Sequence, residues 1–375
     1  MPAPLKVLHV VDSMGGGGME NGIANLSLRL SPSDFDLHVC CLRSRGVFSE
    51  RLANPSQVYP LDKSPGFSFR CLRRLRKQIL HIKPDIIHTH NLGPLIYTFL
   101  ASCLGRRWKI VHGEHAELTR CELTIRRRLA RKLMYRGCRC VHSVSRQLSD
   151  QLLTLGFCEK KIHTISNGVD TKRFIPATDK LKAKQSLLNP SMPSNCFVIG
   201  AAGRFGKYKR HSLLVSAFDE LASRHKDVVL ILAGDGGTEK AGTLQQISEC
   251  RHKDRIHWAG FLKDISKFYQ GIDLLISPSL NEGMSNALLE AMACGVPVLA
   301  NKACGNSEIL SASQGGILAA MESPSELAKI VSSLVTNREY LEKKGIAARE
   351  TVSMHFSIEE MTTNYSKLYH RVAYQ

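Results

Sequence analysis

Between Asn281 and Val298 the chain reads Asn-Glu-Gly-Met-Ser-Asn-Ala-Leu-Leu-Glu-Ala-Met-Ala-Cys-Gly-Val-Pro-Val, with Glu282 and Glu290 separated by seven residues. Leu288, Leu289 and Met292 share one helical face, so Gly283, Met284, Ser285 and Asn286 are expected at a helix N-terminus, where free N–H groups favour an anion. Glu282 then lies in the preceding loop and Glu290 two turns along the helix. A lone glutamate in either place is usually a cap or a solvated side chain. Two acids bracketing an amide-rich helix start can instead bind hydroxyls on either side of a bound phosphate. Upstream, Gly203-Arg204-Phe205-Gly206-Lys207-Tyr208-Lys209 sets Arg204 and Lys209 five apart around a turn, where two cations neutralise a diphosphate. Taken alone these are surface cations; the glutamate segment downstream tips the reading toward a site.

The elements that must position these residues are short, apolar, β-branched runs alternating with longer segments of helical period, the pattern of parallel strands buried on both faces. Expected strands are Lys6–Val11, Asp36–Leu42, Ile86–Thr89, Lys109–Gly113, Cys140–Val144 and Ile162–Ile165 in the first half. The second half holds Cys196–Ala201, Val228–Ala233, Ile256–Trp258, Leu274–Ile276 and Val298–Ala300. Thr171 to Asn195, polar and carrying Pro176, Pro190 and Pro193, reads as an interdomain connection. Both halves open alike. Lys6–Val11 leads through Gly15-Gly16-Gly17-Gly18 into a helical segment, and Phe197–Ala201 leads through Gly203–Gly206 into another, each an arrangement that receives phosphate. The expected fold is α/β, with two Rossmann-like domains facing each other across a cleft.

Composition narrows the function. The 375 residues are 43% hydrophobic and carry a net charge of +18, which implies an anionic partner. Residues 1–189 hold 31 Lys/Arg against 14 Asp/Glu, whereas residues 190–375 hold 20 against 19, so that partner is expected at the N-terminal half. Much of the excess falls on two helix-like stretches, Phe69–Ile82 and Leu118–Tyr135. In the second, Ile125, Leu129 and Leu133 form an apolar stripe among arginines, suited either to solvent or to an anionic membrane. The twelve cysteines show no paired ligand spacing and read as reduced thiols. No run reaches the ~18 apolar residues of a spanning helix, and no signal peptide is evident, so the expected location is cytoplasmic and peripheral on the inner face of the cell membrane. The dinucleotide fingerprint G-x-G-x-x-G fails at Gly15, Gly16 and Gly234, which counts against an NAD enzyme. Nucleic acid is not expected as a partner, because no helix-turn-helix, zinc module or aromatic RNA-binding strand is present.

Taken together these motifs resemble the retaining, two-domain GT-B glycosyltransferases of the group 1, or family 4, set. Gly17-Gly18-Met19-Glu20 resembles the family's glycine loop, Asp85 to His90 its strand ending in His-x-His, and Val111-His112-Gly113-Glu114 its strand-end histidine. Asn167-Gly168-Val169-Asp170, Gly203-Arg204 with Lys209, Gly234-Asp235-Gly236, Gly260-Phe261-Leu262 and the Glu282/Glu290 pair continue the match. The opening through Leu26 is similar to exopolysaccharide (exosortase-associated) sugar transferases. The resemblance implies an acceptor domain at 1–175, a nucleotide-sugar donor domain at 176–354, and a last helix from 355 to 375 that crosses back. It implies transfer from a nucleotide diphosphate sugar, UDP-linked or GDP-linked, to a lipid-linked glycan acceptor, with no cofactor and no metal. Arg204, Lys209 and the amides of Met284–Asn286 would hold the diphosphate, Glu290 the ribose, Glu282 the sugar hydroxyls, and Gly17, Gly18, Gly234 and Phe261 would line the donor. His112 would face the sugar, with His115 as its neighbour and alternative. A soluble acceptor, or a non-catalytic protein that binds a nucleotide sugar or nucleic acid, are the other readings.

Overall fold

A computed structural model describes residues 3–103, 108–188, 195–311 and 313–375, the side chain of Cys304 excepted. Among the described residues, the Val-, Ile- and Leu-rich runs form two sheets. The first holds β1 (Leu5–Val11), β2 (Phe35–Cys41), β3 (Val58–Pro60), β4 (Ile86–His90), β5 (Ile110–Glu114), β6 (Cys140–Ser143) and β7 (Ile162–Thr164). The second holds β8 (Phe197–Ala202), β9 (Val228–Ala233), β10 (Ile256–Gly260), β11 (Leu274–Ser277), β12 (Val298–Asn301) and β13 (Gly316–Ala319). Their orders are β3-β2-β1-β4-β5-β6-β7 and β10-β9-β8-β11-β12-β13, every pairing parallel. Strand order reverses between β1 and β4 and between β8 and β11. In doubly wound sheets such switch points are where loops at the strand ends receive ligands.

Sequence reasoning missed β3 and β13. Both are edge strands, one three residues long and ending in proline, the other opening on glycine, so neither carries a strong β signal. The stretch expected as a plain connection contains the helix Lys180–Gln185. Its Lys184 is buried and pairs with Asp273 at 2.7 Å, a partner that local polarity does not reveal. Residues 189–194 of that stretch, Pro190 and Pro193 included, lie outside the described residues, as do Arg106 and Arg107 of the basic excess.

The chain forms two compact units, Met1–Gly168 with Ile358–Gln375, and Val169–Ser357. The C-terminal helix Ile358–Tyr374 belongs to the first because its apolar stripe requires it. Ile358, Met361, Tyr365, Leu368, Tyr369 and Val372 are all buried, packed with Val7, Ile86, Val111 and Cys140 of the first sheet. At ~1.5–3 kcal/mol per large side chain withdrawn from water, this stripe is a major part of that unit's core. In the second unit the helix Pro324–Val335 starts at a reciprocal cap, Ser323 accepting from the Glu326 N–H while Glu326 accepts from the Ser323 N–H.

Candidate functional site

In the second unit, the loops leaving β8, β9 and β10 are tied by backbone bonds. The Gly203 N–H donates to the Ala233 carbonyl at 2.9 Å, the Phe205 N–H to Gly236 at 2.8 Å and the Gly234 N–H to Gly260 at 2.8 Å. Gly234 has φ +132°, and a Cβ there would stand 2.1 Å from the Gly203 carbonyl oxygen, so only glycine permits this approach. Phe205 is fully buried and pins the loop, which leaves Arg204 exposed beside it. Lys207–Lys209 forms a single tight turn, and Lys209 Nζ forms an ion pair with Glu282 Oε1. The Leu280 N–H donates to the Tyr208 carbonyl at 2.9 Å, which joins the cationic loop to the glutamate loop.

The helix of the glutamate segment runs from Asn286 to Ala293 with Ser285 at its N-cap. Gly283, Met284 and Ser285 are buried, and Gly305 packs so closely that a Cβ on it would stand 2.1 Å from the Gly283 carbonyl oxygen. Glu290 accepts a 2.9 Å hydrogen bond from the hydroxyl of Tyr269, a buried residue that sequence reasoning did not single out. Phe261 is 53% exposed. Trp258 donates to the Gly234 carbonyl at 2.8 Å and carries Lys240 Nζ 4.2 Å above its ring. Arg204, Lys209, Gly234, Glu282 and Glu290 therefore occupy one end of one sheet, with an ion pair already formed between a cation and a carboxylate of the set.

The first unit carries the remaining candidates. Gly17 is the N-cap of the helix Gly18–Arg29, and Glu20 folds back so closely that a Cβ on Gly17 would lie 2.3 Å from its carboxylate. His112 lies within β5 and is fully buried, 2.8 Å from Thr89 Oγ1 and 3.4 Å from Glu114 Oε1. His115, just past the strand, is half-buried. Glu114 also accepts from Arg131 Nε at 2.9 Å and from the Tyr135 hydroxyl. Burial would raise its pKa, but His112, Arg131 and Tyr135 outweigh that and hold it at about 2. One expectation is corrected here. Arg131, counted with the basic surface, is 2% exposed and pairs with Glu114 and with Glu122 at 2.6 Å, because it lies on the inward side of its helix, with Met134 and Tyr135.

The family "Glycosyl transferases group 1" matches residues 189–351, and "Glycosyltransferase Family 4" matches residues 16–173. The chain belongs to the group 1 glycosyltransferases. It is 26% identical to N-acetyl-alpha-D-glucosaminyl L-malate synthase of Bacillus anthracis, covering 84% of this chain and 82% of the relative. It is also 26% identical to an Escherichia coli UDP-Gal:alpha-D-GlcNAc-diphosphoundecaprenol alpha-1,3-galactosyltransferase, over 80% of each. The fold is that of Anabaena HepE in complex with UDP and glucose, at a TM-score of 0.84 and 22% identity over 97% of this chain and 99% of the other. The two parallel-sheet α/β units are those of GT-B glycosyltransferases.

Proposed function

We propose that this glycosyltransferase is retaining and metal-independent, and that it moves a sugar from a UDP-sugar, with a GDP-sugar as the alternative, to a lipid-linked glycan in exopolysaccharide or cell-envelope synthesis. The observation that carries this reading is the Lys209–Glu282 ion pair beside exposed Arg204 and the helix start at Ser285–Asn286. An incoming diphosphate competes with Glu282 for Lys209. Its arrival frees the Glu282 carboxylate to accept from sugar hydroxyls while Arg204, Lys209 and the helix amides hold the leaving diphosphate. These fixed positive groups supply the charge stabilisation that a divalent ion supplies in other sugar transferases. Glu290, held by Tyr269, accepts from the ribose hydroxyls. The second unit is the donor-binding part, and the first, with His115 in preference to the sealed His112, meets sugar and acceptor.

The lipid-linked acceptor is supported by the E. coli relative, named for a diphosphoundecaprenol substrate, and by the helix Ile125–Gly137. Ile125, Leu129 and Leu133 are 72%, 62% and 61% exposed, flanked by exposed Arg126, Arg128 and Lys132. That face suits an anionic membrane, with the protein on its inner surface. No helix among the described residues is long and apolar enough to cross a membrane. A soluble acceptor is the second reading, supported by the malate-named relative. The test is thermal unfolding with UDP, GDP, ADP and CMP and their sugars. UDP at ~100 times its Kd should add ~2.7 kcal/mol of stability, and a panel in which no nucleotide stabilises the protein rejects the reading.

A further inference from the structure

One face of the first sheet gathers histidines from distant parts of the chain. His9 on β1 stands in register with His88 on β4, and His90 stands in register with Gly113, which in turn faces His142 on β6. His9, His88, His90 and His142 are 0–2% exposed. Gly113 makes room for them, since a Cβ there would lie 2.6 Å from His142 Nε2 and 2.8 Å from His115 Nε2. The C-terminal helix contributes Tyr369, also fully buried.

These six groups form one unbroken hydrogen-bonded row. His142 Nε2 lies 2.8 Å from His88 Nε2, and His88 Nδ1 lies 2.8 Å from the Tyr369 hydroxyl. That hydroxyl is 3.5 Å from His9 Nε2, His9 Nδ1 is 2.9 Å from His90 Nε2, and His90 Nδ1 is 2.8 Å from His115 Nε2. His142 Nδ1, at the blind end, has no hydrogen-bond partner among the described residues. Burial lowers the pKa of His9 to about 3 and those of His88, His90 and His142 well below the ordinary value, so the imidazoles are neutral. Each neutral ring carries one proton and Tyr369 carries one. Five links consume five of the six protons, and the sixth sits at one end.

Resting on the transferase reading in which His115 meets the substrate, we propose that His9, His88, His90, His142 and Tyr369 are positioning residues that lock His115 into a single tautomer. Only two proton patterns satisfy every link. In one, His88, His9, His90 and His115 all carry Nδ1–H and His142 carries Nε2–H. In the other, those four carry Nε2–H and His142 carries Nδ1–H. His115 therefore offers its free Nδ1 to a sugar hydroxyl either always as a donor or always as an acceptor, and the Tyr369 hydroxyl, donating to His9 in the first pattern and to His88 in the second, relays that choice along the row from a helix more than two hundred residues away in sequence.

The test is the nitrogen-15 spectrum of histidine-labelled full-length protein at pH 7.5 without donor. It should show four histidines in one tautomer and His142 in the other. Any other assignment overturns the proposal, as does stoichiometric Zn²⁺ retained after purification with metal-shifted ring nitrogens, which would make the cluster a metal site. Tyr369→Phe keeps the packed ring, cuts the row in two and should leave His115 in mixed tautomers, with UDP affinity unchanged and release of UDP from its sugar nucleotide slowed roughly tenfold. His90→Gln cuts the row next to His115 and should do the same if the tyrosine variant loosens its helix. Tyr365→Phe, on the same helix but outside the row, should leave the tautomers as they are. An unchanged His115 tautomer in both cutting variants overturns the proposal. Because the spectrum needs no donor, a wild-type protein that turns over no nucleotide sugar would sink the transferase reading separately.

Discussion

The two units handle charge in opposite ways. In the second, the candidate groups lie on loops beyond β8 and β11 and on the helix that follows β11, partly open to water, and residues 169–357 carry 23 Lys/Arg against 19 Asp/Glu. In the first, ionisable groups are drawn into the strands themselves: six histidines, His9, His88, His90, His112, His115 and His142, in or just past β1, β4, β5 and β6, and Glu114 buried against Arg131 and Tyr135. A loop that receives a charged ligand must stay solvated until the ligand arrives, so its cations keep temporary partners such as Glu282. A buried polar network must instead satisfy itself, and it does so with groups brought from many strands. In the proposed function the second unit binds anions, whereas the first holds a fixed internal arrangement.

Acid should break this contrast most strongly. A histidine whose folded pKa is depressed contributes its full stability above the unfolded value of 6.5 and loses it as pH falls below that, until the folded pKa is reached. For His9, His88, His90 and His142 the loss is about 1.4 kcal/mol each per pH unit, or about 6 kcal/mol in all at pH 5.5. Glu114, held at about 2, adds a loss in the same direction once pH drops below about 4.5. Among the described residues of the second unit, burial lowers His211 to about 4 and also lowers the partly exposed His257. Trp108 lies in the first unit and Trp258 in the second, so single-tryptophan variants report on each. Trp108 fluorescence should shift at a higher pH than Trp258, and coincident transitions would show that the histidines do not weaken the first unit selectively.

Arg131→Ala should come next, at about 3–4 kcal/mol, because it leaves Glu114 buried without its guanidinium partner. Arg128→Ala, on the exposed side of the same helix, should change stability by less than ~0.5 kcal/mol. Equal effects in urea denaturation would mean that Arg131 is an ordinary surface charge. The smallest effect concerns the outer face. Arg126→Gln with Arg128→Gln should weaken binding to anionic vesicles by about 2 kcal/mol, and binding should fall as salt rises. Equal flotation of wild type and variant would leave a soluble acceptor as the better account.

How much of this the chain announces follows from the same contrast. Ligand loops are contiguous, so Arg204, Lys209, Glu282 and Glu290 can be read from spacing and resemblance, and buried strand runs betray eleven of the thirteen described strands. What spacing hides is assembled in space. Tyr269 meets Glu290 across 21 positions, and Tyr369 meets His88 across 281. Arg131 looks like its neighbours Arg126–Arg128 until the helix is rotated onto the core, where its side chain finds Glu114. Of the His9, His88, His90 and His142 face, only the His88/His90 pair shows as a local period-2 pattern, and sheet order alone makes His9 and His142 their neighbours.

The central claim, that the second unit binds a uridine diphosphate sugar through its loop cations and Glu290, is tested most directly by calorimetric titration of UDP into wild type, Arg204→Ala and Glu290→Gln. Glutamine keeps an acceptor for Tyr269, so that variant should remain folded. Each substitution removes a hydrogen bond to a charged group, worth ~1.5–3 kcal/mol, and should weaken UDP roughly 10- to 150-fold while circular dichroism stays unchanged. Wild-type affinity in both variants would contradict the assignment of the site.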